Sequence, residues 1–170
     1  FDTPTAWEAG QVPKIDWDWL PADFMGNEQL FDCYDWYNHP YFDDTKAKEC
    51  YQWVINGFDE LLSSHGYRYH DGIYEISRAS KDTIAIFCHF GVESVILSRM
   101  MHVSPFALWH FSCALCSSVT TVVSEERREG IGLMRMIGFS DVYHLKAAGE
   151  PASESARFTE VYTDFDKRHD

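Results

Sequence analysis

The spacing of apolar residues predicts one long amphipathic helix before the middle of the chain. Between residues 44 and 64, apolar side chains recur at helical intervals, at Cys50, Trp53, Val54, Phe58, Leu61 and Leu62. An Asp or Thr within 43–45 can cap the start, and Gly66 follows where a left-handed residue commonly ends a helix. A hairpin is expected next, with its turn at residues 70–72, because Asp-Gly favours tight turns between strands.

A strand followed by a helix is predicted from residue 83 onward. Residues 83–88 form a short apolar run rich in β-branched and aromatic side chains, which is typical of a buried strand. The run ends at His89, and residues 91–103 continue with helical spacing. Strand and helix in succession form the basic unit of α/β folds. We therefore expect His89 at the carboxyl end of a buried strand.

Three further elements are expected towards the C-terminus. Ser104-Pro105 predicts another helix start, since Ser caps helices and Pro suits the first helical position. Residues 117–124 and 131–137 have strand character and should pair as an antiparallel hairpin across the polar turn 125–130. Residues 146–170 are polar and aperiodic, which predicts a tail on the surface.

The first 45 residues are rich in aromatic side chains but show no clear period. We interpret residues 1–45 as an insertion or cap segment whose rings pack on the main body; the alternative is that they line a substrate pocket. The whole length, 1–170, is typical of a single domain. Phe1 is not a start Met, so we expect a processed, trimmed or incomplete chain.

Composition narrows the class of partner. The formal charge of −13 disfavours nucleic acid, which requires Lys and Arg contacts to phosphate, and disfavours anionic membrane surfaces. No apolar run approaches the ~20 residues that span a bilayer. A small molecule is the expected partner, and a phosphorylated one would need a locally positive site. Composition says nothing about the oligomeric state.

The cysteines predict reduced thiols and a cytoplasmic location. Five cysteines, Cys33, Cys50, Cys88, Cys113 and Cys116, make a poor disulfide framework because the number is odd and the spacing uneven. Cys113 and Cys116 have the spacing of a metal-ligand pair, but a structural zinc site needs four ligands and no second pair follows. We expect buried thiols and neither a metal nor a cofactor.

His89 is the main candidate for chemistry. The first amides of a helix lack internal partners and carry positive partial charge, so an anion fits there. Gly91 would let a ligand approach the backbone closely. A protonated imidazole can neutralise phosphate or donate a hydrogen bond to it. The simpler alternative is a structural histidine whose hydrogen bonds are satisfied at a strand end.

Four blocks in this region resemble a known family. They span 84–92, 104–109, 117–120 and 139–145, and read Ile-Ala-Ile-Phe-Cys-His-Phe-Gly-Val, Ser-Pro-Phe-Ala-Leu-Trp, Ser-Ser-Val-Thr and Phe-Ser-Asp-Val-Tyr-His-Leu. In this order they resemble the second half of the histidine phosphatase superfamily, the phosphoglycerate-mutase-like proteins. The resemblance implies a three-layer α/β/α fold whose sheet is mostly parallel with an antiparallel hairpin. It also implies hydrolysis or transfer of a phosphoryl group through a phosphohistidine.

The resemblance also implies roles for particular residues. His89 matches the family's second histidine, which neutralises the phosphoryl oxygens, and the amides of Phe90 and Gly91 would add donors. Asp141 and His144 fall in a loop that the family keeps near the site. Glu8 is a weak candidate for the acidic proton donor, with an ordinary surface Glu as its alternative.

The family's nucleophilic histidine, in an Arg-His-Gly motif after the first strand, has no match here. Ser64-His65-Gly66 is expected to end a helix, and Arg168-His169-Asp170 lacks the Gly and a following helix. Phe90 also replaces a Gly found in many members. Either the chain lacks the first strand of the sheet, or it is a catalytically inactive pseudo-phosphatase or interaction module whose exposed aromatic residues bind a partner.

Overall fold

A computed structural model describes residues 19–155, 157 and 163. The described residues fall into two compact units. Those up to Ser112, together with Val123–Arg135, form the first unit. The second unit contains Cys113–Val122 and the described residues from Met136 onward. Each strand of the β3–β4 hairpin is therefore divided between the units, with its turn end in the first unit. The expectation of a single domain stays a prediction.

Helices and strands alternate in groups along the chain. The helical elements are α1 (Pro21–Phe24), α2 (Glu28–Phe31), two 3-10 turns (Trp36–Asn38 and Pro40–Phe42), α3 (Ala47–Ser64), α4 (Phe90–Met101), α5 (Pro105–Phe111) and α6 (Tyr143–Ala147). The strands are β1 (Tyr67–His70), β2 (Ile73–Ile76), β3 (Val119–Arg128) and β4 (Ile131–Asp141). They form one sheet in the order β1-β2-β4-β3, and all neighbours are antiparallel.

The predicted long helix is confirmed as α3. Its inward face buries Ala47, Tyr51, Val54, Ile55, Phe58 and Leu62. The Thr45 hydroxyl accepts a hydrogen bond from the amide of Ala47 at 3.2 Å, which satisfies one free donor at the helix start. Gly66 ends this region with φ +94°, and a Cβ there would lie 2.7 Å from the carbonyl oxygen of Arg78. Only glycine fits both conditions.

The predicted hairpin after α3 is also confirmed. Tyr67 pairs with Ile76 and His70 with Ile73 across an antiparallel ladder. Asp71 and Gly72 at the tip have φ values of +47° and +87°, the two left-handed residues that a tight hairpin turn of this kind requires.

The mostly parallel three-layer fold expected for this chain is wrong. Every neighbouring pair of strands is antiparallel, because short turns join β1 to β2 and β3 to β4, whereas parallel pairing needs a long crossover. Residues 83–88, expected as the buried strand before His89, belong to no strand and are all exposed. An apolar run becomes a buried strand only where a neighbouring strand accepts its main-chain hydrogen bonds, and none of the described strands does so.

The second hairpin is longer than its sequence pattern predicted. The expected turn at 125–130 shrinks to Glu129 and Gly130, because the charged residues before it continue β3. Within this part of the hairpin Glu125 accepts a hydrogen bond from Arg135 across the two strands and another from Arg127 on its own strand. Both bonds lower the pKa of Glu125, and the bond from Arg135 has the larger effect. Asp141 and His144, expected in a loop, instead lie at the end of β4 and on α6.

Aromatic packing forms the larger core of the first unit. Trp19, Phe24, Trp36 and Phe42 are buried in one cluster with residues of α3, α4 and α5. The packing interpretation of the aromatic segment is therefore confirmed for these side chains, whereas Trp7 and Trp17 lie outside the described residues. Among the described residues, no helix combines the length and apolar character needed to cross a membrane.

A partly buried ion pair joins α3 to α4. The guanidinium of Arg99 donates to Asp59 at 3.2 and 2.5 Å, and its carbon lies 3.4 Å from the ring centre of Tyr69. The side chains of Arg99 and Asp59 are only 17% and 25% exposed. Loss of the cation would leave the Asp59 carboxylate partly desolvated without its partner.

Replacing Arg99 is therefore expected to destabilise the first unit. Arg99→Ala should lower the free energy of unfolding by about 2 kcal/mol, as measured by urea denaturation, because a desolvated ion pair and a cation–π contact are lost together. Arg68→Ala is the matched control: its partner Glu75 lies on an exposed surface, so little change is expected. Equal effects of the two substitutions would contradict this assignment.

A second prediction concerns His39, which is 8% exposed. Its Nδ1 accepts a hydrogen bond from the amide of Tyr41 at 3.1 Å, and its Nε2 lies 2.5 Å from the side-chain amide of Asn27. Burial lowers the pKa of His39, an effect that Asp43 opposes. A protonated ring could not accept the Tyr41 bond, so the fold favours neutral imidazole.

The stability of the folded protein should consequently decrease as the pH is lowered. The folded pKa of His39 lies below the unfolded value of about 6.5. The contribution of neutral His39 to the free energy of unfolding is therefore complete above that pH. It is lost as the pH falls from there through the folded pKa. In thermal melts from pH 7.5 to 4.5, the melting temperature of the natural protein should exceed that of His39→Gln by less and less as the pH drops. A pH-independent difference would show that His39 titration does not contribute.

Candidate functional site

His89 lies directly at the start of α4, as the sequence predicted, but not after a strand. It is the N-cap residue, with φ −86° and ψ 163°, and its carbonyl accepts the amide of Glu93 at 3.0 Å. The imidazole is exposed and makes no hydrogen bond or ion pair with any other described residue. Among the described residues, the ring has none of the hydrogen-bond partners that a structural histidine at this position would need.

The start of α4 is fixed from its inner side. The indole Nε1 of Trp109 on α5 donates to the carbonyl of Gly91 at 3.2 Å within the core. Gly91 is buried in the first turn of α4. Of the three residues assigned to phosphate binding, His89 is exposed, Phe90 half-buried and Gly91 buried.

The electrostatics at this turn are mixed. The first amides of the twelve-residue helix α4 carry positive partial charge. Glu93, half-buried in the same first turn, occupies part of this field with a carboxylate. Partial burial and then the charge of Glu93 raise the pKa of the neighbouring Cys88 thiol. The turn thus presents an imidazole and helix-start amides, with the carboxylate of Glu93 beside them.

The remaining predicted site residues have other surroundings. Glu8 lies outside the described residues. In the second unit, the carboxylate of Asp141 accepts the amide of Tyr143 at 2.6 Å, just before the start of α6. His144 is exposed on α6 and continues that helix through its carbonyl, which accepts the amide of Ala148 at 3.1 Å. His65, part of the unused Ser64-His65-Gly66 sequence, ends α3 and pairs with Asp82 at 3.2 Å.

A polar cluster that the sequence did not indicate lies at the tip of the first hairpin. The phenol of Tyr34 donates to Asp71 at 2.7 Å, and the Tyr69 phenol lies 2.9 Å from Nδ1 of His102. Partial burial and the bond to Asp71 raise the pKa of Tyr34. Gly72 lets the His102 ring lie close to the turn, since a Cβ at position 72 would lie 2.9 Å from that ring. Partners 37 residues apart cannot be paired from a single sequence; only the Asp-Gly turn could be recognised there.

Two clefts in the described part of the chain differ in the charged side chains that line them. One, of about 540 Å³, lies in the first unit beside Arg68 and Glu75, whose charges already neutralise each other. The other, of about 470 Å³, lies in the second unit and is lined by two cations, Lys146 and Arg157, and by Cys113. His89 lines neither cleft. The described residues contain no group of three or more His, Cys, Asp or Glu side chains able to hold a metal ion.

Comparisons of the chain with protein-family models, curated proteins and solved structures found no match. The features of this chain that bear on function are the turn at His89, the exposed run before it, and the sequence resemblance.

Proposed function

We propose that this protein binds the phosphoryl group of a phosphorylated small molecule at the turn 88–91, with His89 as its electrostatic partner. The observation that carries the proposal is the exposed imidazole of His89 at the N-cap of α4. A phosphoryl oxygen placed there could accept from the ring and from a helix-start amide, and such charge-assisted bonds are the stronger kind. The resemblance to histidine phosphatases supports the same role for this residue.

The reaction that we propose is hydrolysis or transfer of the phosphoryl group through a phosphohistidine. His89 would stabilise negative charge on the phosphoryl oxygens during displacement, which is the role of a positioned donor rather than of the nucleophile. The nucleophilic histidine is assigned to no residue of this chain. Binding and turnover are therefore separate claims, and binding is the one that a variant of this chain can test directly.

The binding proposal predicts opposite effects of two neighbouring substitutions. His89→Ala should weaken binding of inorganic phosphate or vanadate about tenfold, because a charge-assisted hydrogen bond is lost. Glu93→Gln should tighten it about two- to fivefold, because a carboxylate no longer occupies the helix-start field. Isothermal titration at low ionic strength measures both changes.

His144→Ala is the matched control, since it removes an exposed histidine from a different helix. Unchanged affinity in both the His89 and the Glu93 variants would remove the phosphate proposal. Hydrolysis of an aryl phosphate, measured on the same samples, separates a phosphatase from a protein that only binds.

A non-catalytic interaction module is the second candidate, and the residues just before His89 favour it. Phe87 is 96% exposed, and Ile84 and Ile86 are 36% and 44% exposed. Three apolar side chains within four residues, next to main chain that belongs to no strand, form a surface suited to another polypeptide.

The interaction hypothesis predicts that Phe87→Ser reduces binding of a hydrophobic dye and concentration-dependent association in sedimentation velocity. Trp53→Ser serves as the control, because Trp53 is a comparably exposed aromatic residue, 78% exposed, on α3. An equal reduction by both substitutions would indicate general surface hydrophobicity instead of a contact surface at 84–88. Vanadate affinity should not change in the Phe87 variant.

A further inference from the structure

The cleft of about 470 Å³ in the second unit has an apolar wall and a cationic rim. Leu115, Val142 and Ala152 supply the apolar side chains, whereas Lys146 and Arg157 supply the cations. None of the described residues that line it carries a carboxylate, although the formal charge of the whole chain is −13. An apolar wall with a few polar groups at its edge is the usual composition of a small-molecule site.

Hydrogen bonds within the second unit hold the walls of this cleft in place. The amide of Leu115 donates to the hydroxyl of Ser140 at 2.8 Å, which joins the connection before β3 to the end of β4. Gly149 follows α6 with φ +76°, and its amide donates to the carbonyl of Lys146 at 3.1 Å. This left-handed residue reverses the chain, and Ala152 then lines the same cleft. Walls fixed in this way need little rearrangement when a ligand binds.

The two cations of the cleft differ in their freedom. Lys146 is exposed, and its side chain has no hydrogen-bond or ion-pair partner among the described residues. Arg157 is anchored, since its Nε donates to the carbonyl of Ser153 at 3.0 Å and its Nη1 lies 3.4 Å from Glu154. The side chain of Glu154 is 87% exposed, so water screens this pair and a second carboxylate can compete for the guanidinium. Lys146 therefore supplies the uncompensated charge, and Arg157 supplies a fixed planar donor.

We propose that this cleft binds a small carboxylic acid, whose carboxylate lies between Lys146 and Arg157 and whose apolar body lies against Leu115 and Val142. A carboxylate matches the planar guanidinium, and the ammonium group neutralises its charge from a flexible stem. A cleft of about 470 Å³ has room for a body of several carbon atoms. Each methylene group buried there should tighten binding roughly three- to fourfold.

Cys113 is a natural reporter of occupancy. It lines the cleft and is half-buried, whereas Cys116 is exposed and does not line it. The expectation of buried thiols is therefore wrong for Cys116. A ligand in the cleft should cover the sulfur of Cys113 and leave that of Cys116 accessible.

Isothermal titration of the full chain with hexanoate tests the proposal. Lys146→Ala should weaken hexanoate binding about five- to tenfold, because the uncompensated cation is lost. Glu154→Gln should tighten binding about twofold, because it removes the competitor for Arg157. Lys81→Ala removes an exposed lysine from the first unit and is the matched control, which should leave the affinity unchanged. Equal affinities of the Lys146 and Lys81 variants would overturn the proposal.

Two further probes separate the charge of the ligand from its apolar body. Hexanol has the body without the charge, and acetate has the charge with a single methyl group. Each should bind at least about tenfold more weakly than hexanoate, and equal binding of either one would contradict the proposed contacts. His89→Ala should leave the hexanoate affinity unchanged, so this result is independent of phosphate binding at the turn 88–91.

A second measurement needs no substitution and locates the ligand. Saturating hexanoate should slow alkylation of Cys113 by iodoacetamide severalfold, while Cys116 continues to react at its original rate. Fragment-ion mass spectrometry distinguishes the two sulfurs, so Cys116 is the internal control. An unchanged rate at Cys113, or equal slowing at both cysteines, would show that hexanoate does not occupy this cleft.

Discussion

The burial of Trp36 is the interaction on which the first unit depends. Its indole has no solvent exposure, and the rings of Tyr37, Phe42, Tyr51 and Trp109 surround it with centroid distances of 5.1–5.5 Å. Three of these contacts are nearly perpendicular, the edge-to-face geometry that aromatic pairs favour. The rings come from the N-terminal turns, from α3 and from α5, so one side chain joins elements that are distant in sequence.

The same cluster fixes the candidate site. Trp109 packs against Trp36 on one side and donates its indole hydrogen to the carbonyl of Gly91 on the other. Gly91 is thereby held in the core, and the N-cap residue His89, two positions earlier, is left outside it. Under the proposed function, a fixed helix start would reduce the cost of organising the backbone when an anion binds. Glu93 in the same turn would limit the affinity, because its carboxylate competes for the positive end of the helix.

The second unit has a different chemical character. Within a chain of formal charge −13, its cleft brings Lys146 and Arg157 beside Cys113. Burial and the neighbouring Cys116 nevertheless raise the pKa of that thiol, and Arg157, which also pairs with Glu154 at 3.4 Å, only partly opposes them.

The sequence by itself determined the elements whose signals are local. The periodicity from 44 to 64, the Asp-Gly turn after β1 and the Ser104-Pro105 start of α5 each depend on neighbouring residues only, and each was confirmed. Local signals also located the start of α4, and hence the exposed N-cap position of His89. The burial of Trp36 and Phe42 followed from their hydrophobicity, although their partners did not.

Only the tertiary structure decided what each element packs against. The run 83–88 has the composition of a buried strand, yet composition cannot supply the neighbouring strand that would accept its hydrogen bonds, and these residues are exposed. The pairing of β2 with β4 likewise joins residues more than fifty positions apart, such as Tyr74 and Gly132. It makes the sheet antiparallel where the resemblance implied a parallel one. Cys88 and Cys116 are exposed rather than buried for the same reason, because exposure depends on contacts between segments that no local pattern records.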